Sequence, residues 1–417
     1  MNDPAARAAP APGSSDSGFG FRSFVALIAS IMACNALQID SMLAALPTMG
    51  RDLGVANENT RQWIIAVYML GFGAAQIVFG PLADRFGRRP ILIAGLTLNA
   101  LMSLAAALAP TFTLMLVARA LQGITGAAGR VLVVSIVRDC YQGRQMARVM
   151  SLSFVVFLAV PILAPSVGQA ILLVGSWRFI FFLLAAFAGT VATVSALKLK
   201  ETLHPSFRRP ASLAGVARAM RVTVTERYAL GYMLAGTGIY GALMGYINTV
   251  QQIFSDIFHA PQRFPLMFAL AAAGMGVSAL VNSRIVGRFG TRRVSHGALL
   301  GLIAAAAIHV AIAASGRETM LTFSILQTCT MFFFGMIGSN FGSMAMETMG
   351  PVAGTAASVQ GFVQTCFGAL IGIAIGQSFN GTTVPTVLGF LIVGLVALAI
   401  VLVTEHGRLF RPHHAPA

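Results

Sequence analysis

Gly80-Pro81-Leu82-Ala83-Asp84-Arg85-Phe86-Gly87-Arg88-Arg89-Pro90 is a short polar phrase, one acid among three arginines, between the apolar runs 62–80 and 90–109. Each run is close to the ~20 residues a helix needs to cross a bilayer core. Gly80 and Gly87 allow close backbone approach and a tight turn, so the phrase reads as a loop joining two membrane helices. A related phrase, Arg288-Phe289-Gly290-Thr291-Arg292-Arg293, follows the apolar run 264–286, about 203 residues later. A repeat of that period in an apolar chain points to two parallel halves of a transporter.

Outward from these loops the chain stays apolar. Its 417 residues are 57% hydrophobic and only 10% charged, where soluble domains carry about 25% charged residues. Soluble enzymes, nucleic-acid binders and disordered chains are excluded. No nucleotide-binding loop, Ser/His/Asp set or metal cluster is evident, and an enzyme is not expected. Twelve spans are expected, at 23–46, 62–80, 90–109, 112–137, 149–173, 178–197, 228–249, 264–286, 294–314, 319–339, 355–379 and 384–403. The fold expected is an all-α polytopic membrane protein, two pseudo-symmetric six-helix bundles over 21–197 and 228–403. A linker (198–227), a mobile N-terminal tail (1–20) and a C-terminal tail (404–417) complete it. The first run exceeds a signal-peptide core and is read as a retained helix. Cys34, Cys140, Cys329 and Cys366 imply no disulfide framework and read as small core residues.

The net charge of +15 comes from 26 Arg and 2 Lys against 13 acids. It reflects topology, not a nucleic-acid partner. With an even number of spans both termini share a side. Placing that side in the cytoplasm leaves five basic residues in the opposite loops (Arg51, Arg61, Arg178, Arg263, Arg317) and two in a span, with the other 21 cytoplasmic. The positive-inside bias therefore puts both ends in the cytoplasm, and the composition suggests a bacterial inner membrane.

The phrase at 80–90 resembles the loop 2–3 signature of the major facilitator superfamily at nearly every position. More narrowly, the chain resembles the Bcr/CflA group of proton-driven drug exporters over nearly everything after residue 20. Asp40 with Ala45-Leu46-Pro47 is similar to that group's first helix. Arg119-Ala120-Leu121-Gln122-Gly123 and Val137-Arg138-Asp139 are similar to its fourth. Ala164-Pro165-Ser166-Val167-Gly168 resembles the antiporter signature of helix five, and Trp177-Arg178-Phe179-Ile180-Phe181-Phe182 the start of helix six. Met346-Glu347 and Gly354-Thr355-Ala356-Ala357-Ser358 resemble its helix 10–11 region. Departures are Gly287 at the second-loop position of Asp84, Ala44 for a proline, Ala164 and Gln169 for glycines, and Met32 where some relatives carry a second acid.

Ionisable residues deep in a span cost at least about 2.5–3.5 kcal/mol, which makes them functional candidates. Three stand out: Asp40, Arg119 and Arg130. Asp40 and Arg119 lie at similar depths, and a meeting of the two across a central cavity is one reading. Arg119 and Arg130 are eleven residues apart on one helical face with Gly123 and Gly126, which reads as a water-lined wall. The blander readings are a static ion pair for Asp40 and a packing arginine bonded to backbone carbonyls for Arg119. His309 is read as a wetted residue near a helix end. Polar residues concentrate on spans one, four, seven and ten. Asn35, Gln38, Tyr68, Gln122, Arg130, Tyr240, Asn248, Gln327, Gln360 and Gln364 are candidate substrate-cavity residues, each alternatively an interhelical hydrogen bond. Gly368, Gly372 and Gly376 form a close-packing face. Pro161, Pro165 and Gly168 loosen span five, and the resemblance implies a bend sealing the half-bundle against proton leak. It also implies that Asp84, within the signature residues Gly80, Asp84, Arg85, Gly87, Arg88 and Arg89, faces the start of span eleven near Gly354-Thr355. A helix dipole there favours an anion.

The expected function is proton-coupled efflux of amphipathic drugs by alternating access, with Asp40 exchanging its proton for substrate and Arg119 opposing the effect of burial on that carboxyl. The expected partners are small amphipathic molecules, protons and the bilayer, with no nucleic acid. A monomer is expected, driven by the proton gradient without cofactor or metal. A proton-linked carrier of one metabolite and a transporter-fold sensor remain the alternatives.

Overall fold

A computed structural model describes residues 15–208, 213–349 and 353–411. Among them every regular element is helical: α1 (Phe21–Asp40), α2 (Leu46–Asp52), α3 (Trp63–Phe86), α4 (Arg88–Ala107), α5 (Phe112–Cys140), α6 (Gly143–Val174), α7 (Arg178–Lys198), α8 (Leu213–Thr225), α9 (Arg227–Gln252), α10 (Phe264–Phe289), α11 (Thr291–Ala314), α12 (Met320–Met346), α13 (Ala353–Gln377) and α14 (Val384–Thr404). Eleven membrane-length stretches are apolar enough to span, the first joining α1 and α2. The remaining long helix, α9, has the length but carries buried Asn248, Thr249, Gln251 and Gln252 at one end. These polar side chains lower its apolarity, and they face protein. The protein is a multi-pass membrane protein.

The first span is broken. Pro47 has no N–H to give and its ring crowds the carbonyl four residues back, so the chain passes from α1 through a tighter turn at Leu43–Ala45 into α2. Asp40 is the last residue of α1, at that break.

Packing repeats between the halves. α1 packs on α5, α6 and α7, as α9 packs on α12, α13 and α14; α3 packs on α5 as α10 on α12; and α4 packs on α5 and α7 as α11 on α12 and α14. The halves meet where α3 lies along α13 and α6 along α10. Large apolar side chains left exposed, such as Leu98 and Leu101 on α4 or Ile392 and Val396 on α14, suit contact with lipid.

Both described chain ends dock on one face, here the terminal face. Ser15 N–H donates to the Asp139 carbonyl (3.2 Å), Lys200 N–H to the Ser17 carbonyl (3.1 Å), and Phe410 N–H to His296 Nδ1 (3.1 Å). Lys200 also pairs with Asp16 (2.6 Å) and holds that exposed carboxyl below the usual range. The described parts of both tails are therefore tied down, which covers only 15–20 of the mobile N-terminal tail expected over 1–20. Residues 1–14 and 412–417, and linker residues 209–212, lie outside the described residues.

Candidate functional site

The terminal face carries the loop signature, and the structure shows what its charges bind. Gly87 has φ +103°, open to glycine and strained for other residues. That turn sets Arg88 between Asp84 (2.5 Å) and Asp139 (3.3 Å). Glu201, just after α7, accepts the backbone N–H of Arg88 (2.9 Å) and of Arg89 (3.3 Å), capping α4. The second half repeats the arrangement: Arg292 is bracketed by Glu347 (3.1 Å) and the buried Glu405 (2.8 Å). In each half the arginine opening the third helix pairs with an acid ending the fourth, while the acid after the sixth takes its backbone N–H in the first half and its guanidinium in the second. Glu201 and Glu405 went unrecognised in the sequence. The signal available was an acid at the same place after each half's last span.

Gly80 faces α13, where a Cβ would lie 3.7 Å from Ser358 Oγ. The acid at Asp84 thus stands one turn beyond a real contact between the halves. The expected approach to Gly354 concerns a residue whose surroundings lie outside those described. Arg85 lies over the Phe86 ring (5.0 Å), and Arg89 Nη2 donates to the Ala196 carbonyl (2.7 Å).

Asp40 is 5% exposed. Among the described residues no cation pairs with its carboxylate and no donor hydrogen-bonds it, which sets it apart from a static ion pair. Tyr240 of α9 lies within electrostatic reach of both Asp40 and Arg130. Arg130 is exposed about two-thirds of the way along α5, and Tyr240 is half-buried. Tyr240 thus stands between Asp40 of the first half's opening helix and Arg130 further along α5, without a direct contact to either.

Arg119 does not join them. It is fully buried, donating to the Ile64 carbonyl (3.1 Å), to Gln122 Oε1 (2.5 Å) and to the Gln38 carbonyl (3.1 Å). Its guanidinium lies 4.4 Å from the Tyr68 ring centroid. The pairing of Arg119 with Asp40 read from depth is corrected, because the broken end of α1 leaves a free carbonyl at Gln38 and the arginine caps it. Arg119 therefore holds the helix end that carries Asp40.

The face shared by Arg119 and Arg130 is also no water-lined wall near Gly123 and Gly126. A Cβ at Gly123 would strike the Tyr68 backbone, and one at Gly126 would meet Asn35, Asn99 and the Tyr68 hydroxyl. That face is a packing seam. Four of the cavity candidates belong to it. Gln38 pairs with Asn99, Gln122 donates to Ser103 (2.6 Å), and the Tyr68 hydroxyl donates to Asn35 (3.4 Å). Gln38, Tyr68 and Gln122 are sealed at 1%, 0% and 0% exposure, and Asn35 is half-buried among them. They are structural amides and rings, and their removal from the cavity list is a correction. The rest stand differently. Asn248 Oδ1 and both polar atoms of Gln327 are buried without partners, as is Gln251 Oε1, which the sequence reading missed. Gln360 and Gln364 are half-buried on α13.

Span five approaches Asp40 directly. α6 stays helical through Pro161 and Pro165, and a Cβ at Gly168 would collide with the Ser41 carbonyl. The signature glycine is thus what lets α6 lie against the break beside Asp40. On α13, Gly368 and Gly372 accept the close approach of Tyr240 and Met244, and Gly376 that of Gln62.

Opposite the terminal face the halves are latched. Arg61, 6% exposed, sits 3.6 Å from both Glu58 and Asp256. Gln62 donates to Gln252 (2.6 Å) and to the Gly376 carbonyl (3.1 Å), and Gln377 to the Asn59 carbonyl (2.8 Å). On this side His309 is 1% exposed and bonded to Glu318 (2.7 Å), which corrects its reading as a wetted residue. Trp177 Nε1 donates to Asp52 (2.8 Å) and pins the end of α2. Cys34 and Cys140 are buried as expected, while Cys366 is half-buried and Cys329 faces outward.

Comparison with known proteins agrees with this geometry. The chain is similar to the uncharacterized MFS-type transporter YdgK of Bacillus subtilis, 32% identical over 365 residues (86% of this chain, 89% of the relative). It is similar to a bicyclomycin resistance protein homolog of Haemophilus influenzae, 28% identical over 357 residues (83% and 87%). It is also similar to the multidrug resistance protein MdtL of Escherichia fergusonii, 29% identical over 389 residues (90% and 94%). The resemblance to the bicyclomycin-resistance group read from the helix signatures is met by these relatives. With residues 28–377 matching the family model, the loop signature in place and the helix packing repeated between halves, the chain belongs to the Major Facilitator Superfamily of transporters.

Proposed function

We propose that this transporter exports amphipathic, mostly apolar small molecules in exchange for protons, by alternating access across a bacterial inner membrane with both termini in the cytoplasm. The observation that carries the reading is Asp40. It is a carboxylate 5% exposed, without cation or hydrogen-bond donor among the described residues, at the break of a membrane helix and between the two halves. A fixed ion pair would hold such a group charged. An unpaired one changes protonation when its access to water changes, because burial disfavours the charged form. That is what a proton-exchanging group requires.

The two sets of six helices, 21–197 and 228–403, are the bodies that move. The Arg61–Asp256 contact and the amides around Asn59 and Gln62 hold the far side shut, so the path from Asp40 leads past Arg130 to the terminal face. Substrate displaces the Asp40 proton from that side. Opening of the latch exposes the carboxylate to the opposite solution, where it is reprotonated as substrate leaves. The gradient supplies the energy without a bound cofactor, and one chain holds the whole path. The names of the relatives, two of them resistance proteins, support drugs as the substrate class.

A susceptibility panel on an efflux-deficient host expressing the chain tests this reading, with Asp40→Asn as control. Raised resistance to several unrelated amphipathic compounds, lost in Asp40→Asn, is the expected result. A change for one solute alone would replace it with a dedicated metabolite carrier, and ligand response without flux would make the chain a sensor.

A further inference from the structure

We propose that a groove on the membrane-facing side of α4, at the terminal face, is a selective site for one anionic phospholipid. The open groove offers about 740 Å³ between α4 and the segment that follows α7. Its wall is the outward face of α4, with Ile93, Ala94, Thr97 and Leu98, and its mouth carries Arg89, Arg208 and Glu201. Leu98 is ten residues beyond the start of α4, about 15 Å deep at 1.5 Å per residue. That is half the ~30 Å hydrocarbon thickness, the reach of one leaflet.

The charges decide the class of occupant. Glu201 is already used: its carboxylate accepts the N–H groups of Arg88, Arg89 and Leu203 (2.9, 3.3 and 3.0 Å), so the α4 N-terminus offsets its charge. Two guanidiniums remain. Arg208 is exposed and pairs with no acid among the described residues. Arg89 spends Nη2 on the Ala196 carbonyl (2.7 Å), but its Nε is buried without a partner, a donor left unmet beside the groove. A buried unmet donor carries a desolvation penalty, and a small turn of the guanidinium toward the groove would let a phosphate oxygen satisfy it. Basic pockets beside membrane helices at the cytoplasmic surface hold anionic headgroups for this reason. The apolar wall separates the proposal from a plain anion site. Free phosphate uses the arginines alone, whereas a phospholipid also lays an acyl chain along Ala94 and Leu98. Ordinary annular lipid would use the wall without regard to headgroup.

The test uses purified full-length protein stripped of lipid and titrated with phosphatidylglycerol or with phosphatidylcholine of the same chains, reading bound lipid by native mass spectrometry. One phosphatidylglycerol should bind with at least a tenfold preference over phosphatidylcholine. Arg208→Glu, on an exposed side chain, and Ala94→Trp, which fills the wall, should each cut that binding at least tenfold with an unchanged melting temperature. Millimolar inorganic phosphate should not displace the lipid. Equal binding of the two lipids would overturn the proposal as annular contact. Displacement by phosphate, or indifference to Ala94→Trp, would overturn it in favour of an inorganic anion site. The readout is independent of transport and stands apart from the proposed function.

Discussion

Replacing Arg119 with alanine should loosen the broken end of α1 and, through it, mislay Asp40. The side chain makes three hydrogen bonds and lies 4.4 Å from the Tyr68 ring centroid, fully buried. Hydrogen bonds between membrane helices contribute about 0.6–1.7 kcal/mol each, and a desolvated cation–π contact about 2 kcal/mol. The interactions removed therefore amount to about 4–7 kcal/mol. Alanine also removes a charge whose burial costs about 2.5–3.5 kcal/mol, so the net destabilisation is about 1–4 kcal/mol. Arg119→Lys keeps a charge near the ring but lacks the fork that reaches three acceptors, and should recover only part of the loss. The assay is thermal unfolding of purified protein in parallel with the pH profile of efflux in proteoliposomes. Arg119→Ala should melt earlier and transport slowly, with the profile's midpoint near that of the wild type. An unchanged melting temperature with a midpoint moved by a full pH unit would refute the reasoning, since it would make Arg119 a direct partner of the Asp40 carboxylate.

Asp84→Asn removes the acid beside Arg88 and one turn beyond the Gly80–Ser358 approach; efflux should fall strongly while expression and substrate binding persist, and accessibility labelling should show more inward-open protein. Normal flux would end its role as a conformational lock. Arg61→Ala unfastens Glu58 and Asp256 on the far side, a change of about 1 kcal/mol between partly exposed charges, or roughly fivefold in population. A cysteine placed at the far end of α9 should label correspondingly faster, and an unchanged rate would show that the latch bears no load. Gly168→Ala forces α6 away from the Ser41 carbonyl at a cost of about 1–3 kcal/mol; proteoliposomes should then leak protons without substrate, and a tight membrane would contradict the sealing role of this glycine.

Spacing and charge made the architecture legible. Apolar runs of bilayer length announced the helices, and the paired loop phrases at 85–89 and 288–293 announced the repeat. α9 is legible too, because its amides sit at one end of an otherwise apolar run. Asp40 stood out because an acid deep in a span is rare for a physical reason. Arg119 shows where sequence reasoning stopped. Its depth was readable, but its partners depended on a carbonyl exposed by the helix break, and a backbone group leaves no mark in the sequence. Gln38 and Gln122 misled for a related reason: an amide that binds another helix and one that binds a ligand are the same residue until rotamers and neighbours are placed. Glu201 and Glu405 were missed because an acid just beyond a span looks like a solvated loop. His309 was misread in the opposite sense, since its partner Glu318 lies across a turn that buries both.

The central claim is that Asp40 carries the proton. Protein is reconstituted into proteoliposomes, a pH gradient is imposed, and efflux of a substrate found in the susceptibility panel is followed for wild type, Asp40→Asn and Asp40→Glu. Asp40→Asn should bind substrate and lose gradient-driven efflux. Asp40→Glu should retain a part, because the carboxyl survives one methylene away. Full gradient-dependent efflux by Asp40→Asn would contradict the account, and the proton would then have to travel by another group.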